Sequence, residues 1–195
     1  FYATRKVAII MNIQLIDNLM PEKFVGEYHD MHMRTFPWYF NNWTILPGRE
    51  KNFKCDFTQI DVGQFVHIFW SDNNENSDYA KVPLEILKKL VDKHKFKFDG
   101  IGRIKSNLTY RKYRDNKTLQ PVHDDMDEKN EFVSLIYYTH DCDGDTIFFK
   151  KNGDVKKIIK PKRNRIVIFN SDTPHAGQNP KEYEYRIVTN FVLKV

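Results

Sequence analysis

The stretch SLIYYTHDCDGDTIFF at residues 134–149 decides the fold of this chain. Two runs of β-branched and aromatic residues, which are typical of strands, flank an acidic turn that contains one glycine. Further strand-like runs lie on both sides of it, at 101–110, 155–160, 165–169 and 186–195. Short strands with turn signals at this spacing predict an antiparallel sandwich or barrel.

Asn152 and Gly153 separate two of these runs, the segments 146–151 and 155–160. Asn-Gly is a preferred pair in two-residue hairpin turns, because both positions then adopt a positive φ. We therefore expect a tight hairpin whose turn consists of these two residues.

The N-terminal half carries the helices. The segment 7–17 is apolar and β-branched and predicts a strand, and Pro21 suits the first turn of a helix over 21–34. A second helix is predicted over 82–94, where leucines recur at helical spacing. We expect both helices to pack outside the barrel, which makes the fold mainly β with flanking helices, of the α+β class.

Three other segments of this half have two interpretations each. The aromatic residues of 36–43 favour core packing over the wall of a substrate cleft. His67 lies within the apolar run 64–70, which favours a packed histidine over a metal ligand. The polar residues of 71–78 favour a surface connection over a mobile lid.

Length and composition indicate one domain, 1–195, with N-terminal strands and supporting helices in 1–100 and a core barrel in 101–195. Cys55 and Cys142 are the only cysteines, so no disulfide framework or zinc-ribbon spacing exists and a cytoplasmic setting is expected. No apolar run reaches the roughly 18 residues that a membrane span needs. A net charge of +5 permits an anionic partner without requiring one.

His123 and Asp125 are two residues apart, so in an extended segment their side chains share one face. His175 follows after several strand-like runs. Two histidines and one carboxylate can form the facial triad that holds a non-haem Fe(II). Asp124 and the more remote Asp127 are rival ligands, but period-two geometry favours Asp125 because Asp124 would point the other way.

Arg186 opens the last strand-like run, after the third candidate ligand. Its planar, permanently charged guanidinium can bind a carboxylate through two hydrogen bonds. Asn107 and Asn190 are polar residues in apolar strands, so they either line the same pocket or are satisfied structurally.

Several motifs of the chain resemble, in order, those of the 2-oxoglutarate- and Fe(II)-dependent dioxygenases, in the branch of the prolyl 4-hydroxylases. VHDDMD, at 122–127, stands where that family has its HxD motif. The run at 134–149 is similar to the family's strand, acidic-glycine turn and following strand. IIKPKRNRIVIFNSDTPHAG and YRIVTNFV resemble the hairpin before the distal histidine and the arginine strand. Near the start, QLIDNLMPEKF is similar to the entry into the first helix of these proteins, and FPWYF is similar to a segment of small members from phages and marine bacteria.

The resemblance implies a double-stranded β-helix, or jelly-roll barrel, and an oxygenase activity. His123, Asp125 and His175 would ligate Fe(II), and Arg186 would bind the distal carboxylate of 2-oxoglutarate. Val188 stands where many members carry a serine or threonine, so one hydroxyl partner of that carboxylate is missing.

A tyrosine before the HxD motif often helps to hold the co-substrate in this family. Tyr113 fits that position by count and Tyr110 is the alternative. The usual glycine-containing link before the motif is absent here.

The function expected from the resemblance is hydroxylation of a C–H bond, with peptidyl proline as the first candidate substrate and with release of succinate and carbon dioxide. Ascorbate is a candidate reductant, and a protein, peptide or small molecule is the expected substrate. The host cytoplasm is the expected location if a phage encodes the chain. A nucleic-acid-base oxygenase and a non-catalytic binding module on the same scaffold are the alternatives.

A basic stripe near the candidate site bears on the nucleic-acid alternative. It consists of Lys150, Lys151, Lys156, Lys157, Lys160, Lys162, Arg163 and Arg165. Such a stripe can hold a phosphate backbone, but lysines on a solvated sheet face are the favoured interpretation.

Overall fold

The computed structural model describes residues 12–45, 53–112, 117–126 and 131–195. Helices in these ranges are α1 (Glu22–Arg34) and α2 (Lys81–His94). The strands of the N-terminal part are β1 (Gln14–Asp17), β2 (Tyr39–Asn41), β3 (Thr58–Gln59), β4 (Gln64–Ser71) and β5 (Asn74–Glu75). The later strands are β6 (Gly100–Tyr110), β7 (Thr118–Leu119), β8 (Phe132–Tyr138), β9 (Thr146–Phe149), β10 (Val155–Ile159), β11 (Arg165–Asn170), β12 (His175–Gly177) and β13 (Tyr185–Lys194).

The strands form a major and a minor antiparallel sheet. The major sheet has the order β1-β11-β8-β13-β6-β4-β2, with β5 paired to β4, and the minor sheet has the order β10-β9-β12. The short strands β3 and β7 pair in parallel beside them. These antiparallel sheets and the two helices confirm the mainly β architecture expected from the sequence.

The major sheet is covered on both faces. On its inner face, Ile136 and Val188 pack with Phe148 and Ile159 of the minor sheet in one buried cluster. The alternate residues of the same strands point outward and join a second cluster with both helices. The members of this outer cluster include Val25, Tyr28, Leu87, Leu90, Leu135, Tyr137 and Phe191. Because both faces are covered, β8 is apolar along nearly its whole length instead of alternating.

A buried hydrogen-bond network fixes α1 on the two strands at the centre of the major sheet. Tyr28 Oη and Ser106 Oγ lie 2.8 and 2.9 Å from Thr189 Oγ1. The ring of His32 is 2.7 Å from Ser106 Oγ through Nε2 and 2.7 Å from the Tyr28 carbonyl through Nδ1. Burial lowers the pKa of His32 to about 3, so the ring is neutral and the network carries no charge.

Two turns differ from those expected. The polar segment 71–78 contains a hairpin between β4 and β5, whose turn residues Asp72 and Asn73 have φ values of 52° and 60°. Aspartate and asparagine tolerate this left-handed conformation, and polar composition alone concealed the turn. The predicted Asn152-Gly153 turn is longer: the Lys150 amide donates to the Asp154 carbonyl, and Gly153, at φ 94°, is the residue in the left-handed region.

The N-terminal segments also refine the predictions. The strand expected over 7–17 is seen at Gln14–Asp17, and residues 7–11 lie outside the described ranges. His67 is packed, as expected, against Phe36, and its ring nitrogens face Pro37 O and Ser77 Oγ. The aromatic segment divides: Phe36 is buried, whereas Tyr39 and Phe40 are 64% and 56% exposed, so core packing was wrong for these two.

Within the part of the chain that the structure describes, neither helix has the length and apolar character required to cross a membrane.

Asn164 ties the turn after β1 to the strand β8. Its Oδ1 accepts hydrogen bonds from the Met20 amide at 2.9 Å and from Tyr137 Oη at 3.0 Å, and its Nδ2 donates to Met20 O at 2.7 Å. The residue is buried and has a φ of 63°. Asparagine tolerates this left-handed conformation better than other side chains of its size.

We expect Asn164→Ala to lower the free energy of unfolding by about 3 kcal/mol, because buried donors and an acceptor lose their partner. Asn164→Gly removes the same hydrogen bonds but accepts the positive φ, so its loss should be smaller by about 1 kcal/mol. Urea denaturation followed by fluorescence measures both values. An alanine variant as stable as the original protein would contradict this assignment.

Candidate metal centre

Backbone pairing brings the two candidate histidine ligands together. The His123 amide donates to His175 O at 3.0 Å, and the His175 amide donates to His123 O at 2.8 Å. Directly opposed residues of an antiparallel pair project to the same face, and the two rings lie 4.6 Å apart between centroids. Because His175 begins β12, this pair also attaches the segment around His123 to the minor sheet.

Each histidine is oriented by a carbonyl of its own loop. Nδ1 of His123 lies 3.1 Å from Pro121 O, and Nδ1 of His175 lies 2.9 Å from Thr173 O. Since a carbonyl can only accept, both Nδ1 atoms carry a proton, and in that tautomer of the neutral ring Nε2 is the atom that can bind a metal. Burial lowers the pKa of His123 to about 4, with a smaller contribution from His175, so this ring stays neutral, as a metal ligand must be.

Asp125 completes the group. Its carboxylate and the two imidazoles offer one ligand atom each, all within 4.8 Å of one another. Ser134 Oγ donates to Oδ2 at 2.6 Å, and Arg103 Nη2 donates to Oδ1 at 3.0 Å. Burial alone would raise the pKa of Asp125, but His175, Arg103 and the other polar neighbours outweigh it and hold the pKa well below its ordinary value.

The rival carboxylate of Asp124 is not part of this group. In the described ranges the cluster of potential ligands consists of His123, Asp125 and His175, without Asp124. Asp127 lies outside the described residues. Two imidazoles oriented through Nδ1, an ionised carboxylate and its polar partners fit a 2-His-1-carboxylate metal site.

Arg186 lines the same pocket and is buried. Its Nε donates to Gly144 O and its Nη2 donates to Thr146 Oγ1, both at 2.8 Å, and the guanidinium carbon lies 5.9 Å from the Tyr138 ring centroid. No carboxylate in the described part of the chain forms an ion pair with it. A buried cation with neutral partners fits the carboxylate of a bound ligand.

Gly144 makes room for this arginine. A Cβ at this position would lie 2.6 Å from Gln178 O and 2.8 Å from Arg186 Cδ, so a side chain does not fit. The glycine of the acidic turn therefore serves the close approach of Arg186 rather than the turn alone.

A narrow pocket connects the metal group with Arg186. Its lining residues are Thr44, Lys105, Asn107, Gln120, His123, Asp125, Ile136, Thr146, His175, Gly177, Arg186, Val188 and Asn190. Lys105 is half-buried, and its charge interacts with that of Asp125. Burial lowers the pKa of Lys105 to about 7, Arg103 acts in the same direction, and Asp125 opposes both.

The remaining residues predicted from the sequence differ in their position relative to the pocket. Asn107 lines the pocket, and its Oδ1 is buried without a hydrogen-bond partner in the described part of the protein. Tyr110 accepts a hydrogen bond from Asn179 through its carbonyl and is not among the described lining residues. Tyr113 lies outside the described ranges.

Sequence reasoning missed Arg103, Lys105, Thr146 and Tyr138. The first two share the inner face of β6 with Asn107, since side chains alternate along a strand. That alternation, applied outward from Asn107, would have found them. Thr146 and Tyr138 could not be found this way, because only the packed barrel places them beside Arg186.

Comparison with known families agrees with this geometry. The family described as the 2OG-Fe(II) oxygenase superfamily matches the chain over residues 108–193. This range contains the three candidate metal ligands and Arg186. No curated protein matches the sequence.

Solved structures of similar fold cover nearly the whole chain. An oxidoreductase of the 2OG-Fe(II) oxygenase family from Burkholderia pseudomallei has a TM-score of 0.69 and 9% identity, covering 93% of this chain and 84% of that chain. A prolyl-4-hydroxylase from Pseudomonas putida has a TM-score of 0.58 and 13% identity, covering 94% and 92%. The viral collagen prolyl hydroxylase from Paramecium Bursaria Chlorella virus-1, solved with 2OG, has a TM-score of 0.55 and 14% identity, covering 94% of this chain and 96% of that chain.

At these identities the likeness establishes the fold alone, and it confirms the double-stranded β-helix expected from the sequence motifs. The expected origin from a phage or marine bacterium finds no support in these comparisons.

Asp125→Ala should abolish detectable binding of Mn(II), a spectroscopic substitute for Fe(II), because the metal site loses its anionic ligand. Asp124→Ala is the matched control, since it removes the neighbouring carboxylate of the same segment and should leave binding unchanged. Electron paramagnetic resonance of free Mn(II) during titration measures both affinities. Loss of binding in the Asp124 variant alone would reverse the assignment.

Proposed function

We propose that this chain, whose residues 108–193 match the 2OG-Fe(II) oxygenase superfamily, hydroxylates an unactivated C–H bond and has peptidyl proline as its first candidate substrate. The enzyme class, an Fe(II)- and 2-oxoglutarate-dependent oxygenase, follows from the family match and the intact His-Asp-His group. The observation that carries the proposal is the pocket that holds this group and a buried arginine together.

His123, Asp125 and His175 would hold the Fe(II) through two Nε2 atoms and one carboxylate oxygen. With 2-oxoglutarate and dioxygen, the metal supplies oxidation of a C–H bond coupled to the conversion of 2-oxoglutarate to succinate and carbon dioxide. Ser134 and Arg103 keep the carboxylate oriented and ionised.

Arg186 would bind the distal carboxylate of 2-oxoglutarate, as the only guanidinium among the described lining residues. Thr146 holds the guanidinium and supplies a hydroxyl at the same end of the pocket, although Val188 lacks one. Apolar Ile136 and Val188 line the wall between Arg186 and the metal group and exclude water from it.

Peptidyl proline is supported by the names of two structural neighbours, which are prolyl hydroxylases. Tyr39, which is 64% exposed, lies on the same sheet face as the pocket residues Asn107 and Val188 and offers apolar surface on which a chain substrate can lie. Ascorbate is the proposed reductant. We also keep one domain over 1–195 and a cytoplasmic location as parts of this proposal.

The structure gives less support to the two alternatives, a nucleic-acid-base oxygenase and a non-catalytic binding module. Several members of the basic stripe pair with carboxylates: Lys162 and Arg165 contact Asp17, Arg163 contacts Glu22 and Lys150 contacts Asp154. These pairs reduce the positive charge available for a phosphate backbone. A non-catalytic binding module would not need a complete set of metal ligands with oriented outer partners.

Arg186→Ala should weaken the binding of 2-oxoglutarate by at least about 30-fold, because the distal carboxylate loses its buried counter-ion. Arg34→Ala removes an exposed arginine and should leave the affinity unchanged. Isothermal titration of the Mn(II)-loaded proteins measures the affinity. An unaltered affinity in the Arg186 variant would remove this residue from the proposed role.

The wild-type enzyme with Fe(II) should convert 2-oxoglutarate to succinate, and His123→Ala should not. Incubation with proline-containing peptides, followed by mass spectrometry, should reveal products that have gained one oxygen atom. Oligonucleotides in parallel reactions test the nucleic-acid alternative. A wild-type protein that binds neither metal nor 2-oxoglutarate would contradict the enzyme assignment.

A further inference from the structure

Lys105 occupies a defined place on the inner face of the major sheet. Ile136, Asn190, Lys105 and Ile68 lie side by side on β8, β13, β6 and β4, as directly opposed residues. Such residues project to one face, which here is the face toward the metal group. The neighbouring row on the same face runs through Val188, Asn107, Val66 and Tyr39.

Along this row, the inner face changes from buried at β8 to solvent-exposed at β4. Ile136 is 5% exposed, because the minor sheet lies over β8 and β13. Ile68, at the other end, is 41% exposed, and Tyr39 in the next row is 64% exposed. Lys105 is half-buried and stands at the boundary, beside the metal group and at the edge of the open apolar face.

The Lys105 ammonium has no hydrogen-bond acceptor assigned to it in the described part of the chain. Asp125, the carboxylate whose charge acts on Lys105, is engaged by Arg103 at 3.0 Å and by Ser134 at 2.6 Å. Thr44, which also lines the pocket, donates its hydroxyl to Asp61 at 2.8 Å. A half-buried cation without an anion is costly, and a ligand carboxylate would remove that cost.

Lys105 and Arg186 are separated along the sheet. Lys105 is opposite Asn190, which is four residues from Arg186 on β13, or about 13 Å at the usual rise of a strand. The carbon chain of 2-oxoglutarate is roughly 6 Å long, from four bonds of about 1.5 Å. This main-chain separation is about twice the length of 2-oxoglutarate, so we assign Lys105 to a different ligand from the one anchored at Arg186.

We infer that Lys105 is a substrate-recognition residue, which pairs with a carboxylate of the substrate while the apolar part of that substrate lies on Ile68, Val66 and Tyr39. This inference rests on the proposed oxygenase function and narrows its substrate class. The carboxylate belongs to a free amino acid or other small acid, or to the C-terminus or an acidic side chain of a peptide. An uncharged internal proline in a neutral peptide does not meet this requirement.

The test uses the protein loaded with Mn(II) and 2-oxoglutarate, which bind without turnover. Ligand-observed NMR is recorded for amino acids, simple aliphatic and aromatic acids and short proline peptides, each as the acid and as the corresponding amide. Mn(II) broadens the protons of any compound bound beside it. Free acids, C-terminal acids and acidic peptides form separate arms, which distinguish the sources of the carboxylate.

We expect at least one acid to bind about 10-fold more tightly than its amide. Lys105→Met should weaken the binding of that acid by roughly 30-fold and remove the preference for the acid over its amide. The affinity for 2-oxoglutarate should change by less than about 2-fold. Lys105→Arg should retain the preference, because it retains the charge. Lys156→Met, at an exposed lysine on β10, is the matched control and should behave as the wild type.

The inference is overturned if no acid in the panel binds or if acids and amides bind alike. It is also overturned if Lys105→Met weakens the binding of 2-oxoglutarate as much as the binding of the acid. A protein that binds neither Mn(II) nor 2-oxoglutarate contradicts the proposed function instead. These two failures are distinguished by measuring both affinities before the panel is added.

Discussion

Two backbone hydrogen bonds between His123 and His175 hold the functional part of this protein together. They join the segment that carries His123 and Asp125 to β12 of the minor sheet, at 3.0 and 2.8 Å. The Asp125 amide adds a third bond, to Ser171 O at 2.9 Å, just before that strand. Because these bonds are made by the main chain, they determine the positions of the ligand side chains independently of any metal. The oriented imidazole tautomers and the bonded carboxylate then follow from the neighbouring loops.

Charge is distributed unequally between the two faces of the major sheet. The outer face meets the helices through apolar side chains and a neutral network around Tyr28 and His32. The inner face carries cations whose partners are incomplete: Arg186 has two neutral acceptors, and Lys105 has none assigned among the described residues. Buried positive groups of this kind favour anionic ligands, and this preference is the physical basis of the two carboxylate contacts proposed for Arg186 and Lys105.

Much of this arrangement could be predicted from the sequence. Period-two alternation was sufficient to prefer Asp125 to Asp124, and the order of the motifs brought His175 and Arg186 into the same hypothesis. The exposed Tyr39 and Phe40, the hairpin at Asp72-Asn73 and the longer turn at Gly153 were not predicted. Aromatic residues bury large areas in most contexts, and turn residues permit several turn types. Local composition therefore could not decide which of them reach the core or which turn forms.

The sequence by itself determined the class of fold, the set of candidate metal ligands and the arginine proposed to bind a carboxylate, because alternation and chain order are local or additive properties. Only the tertiary structure decided what surrounds them. It brought Arg103 and Ser134 to Asp125, Thr146 to Arg186, and Lys105 to the open edge of the pocket. These contacts join strands that are distant in sequence, and their register depends on how the whole sheet packs between the helices and the minor sheet.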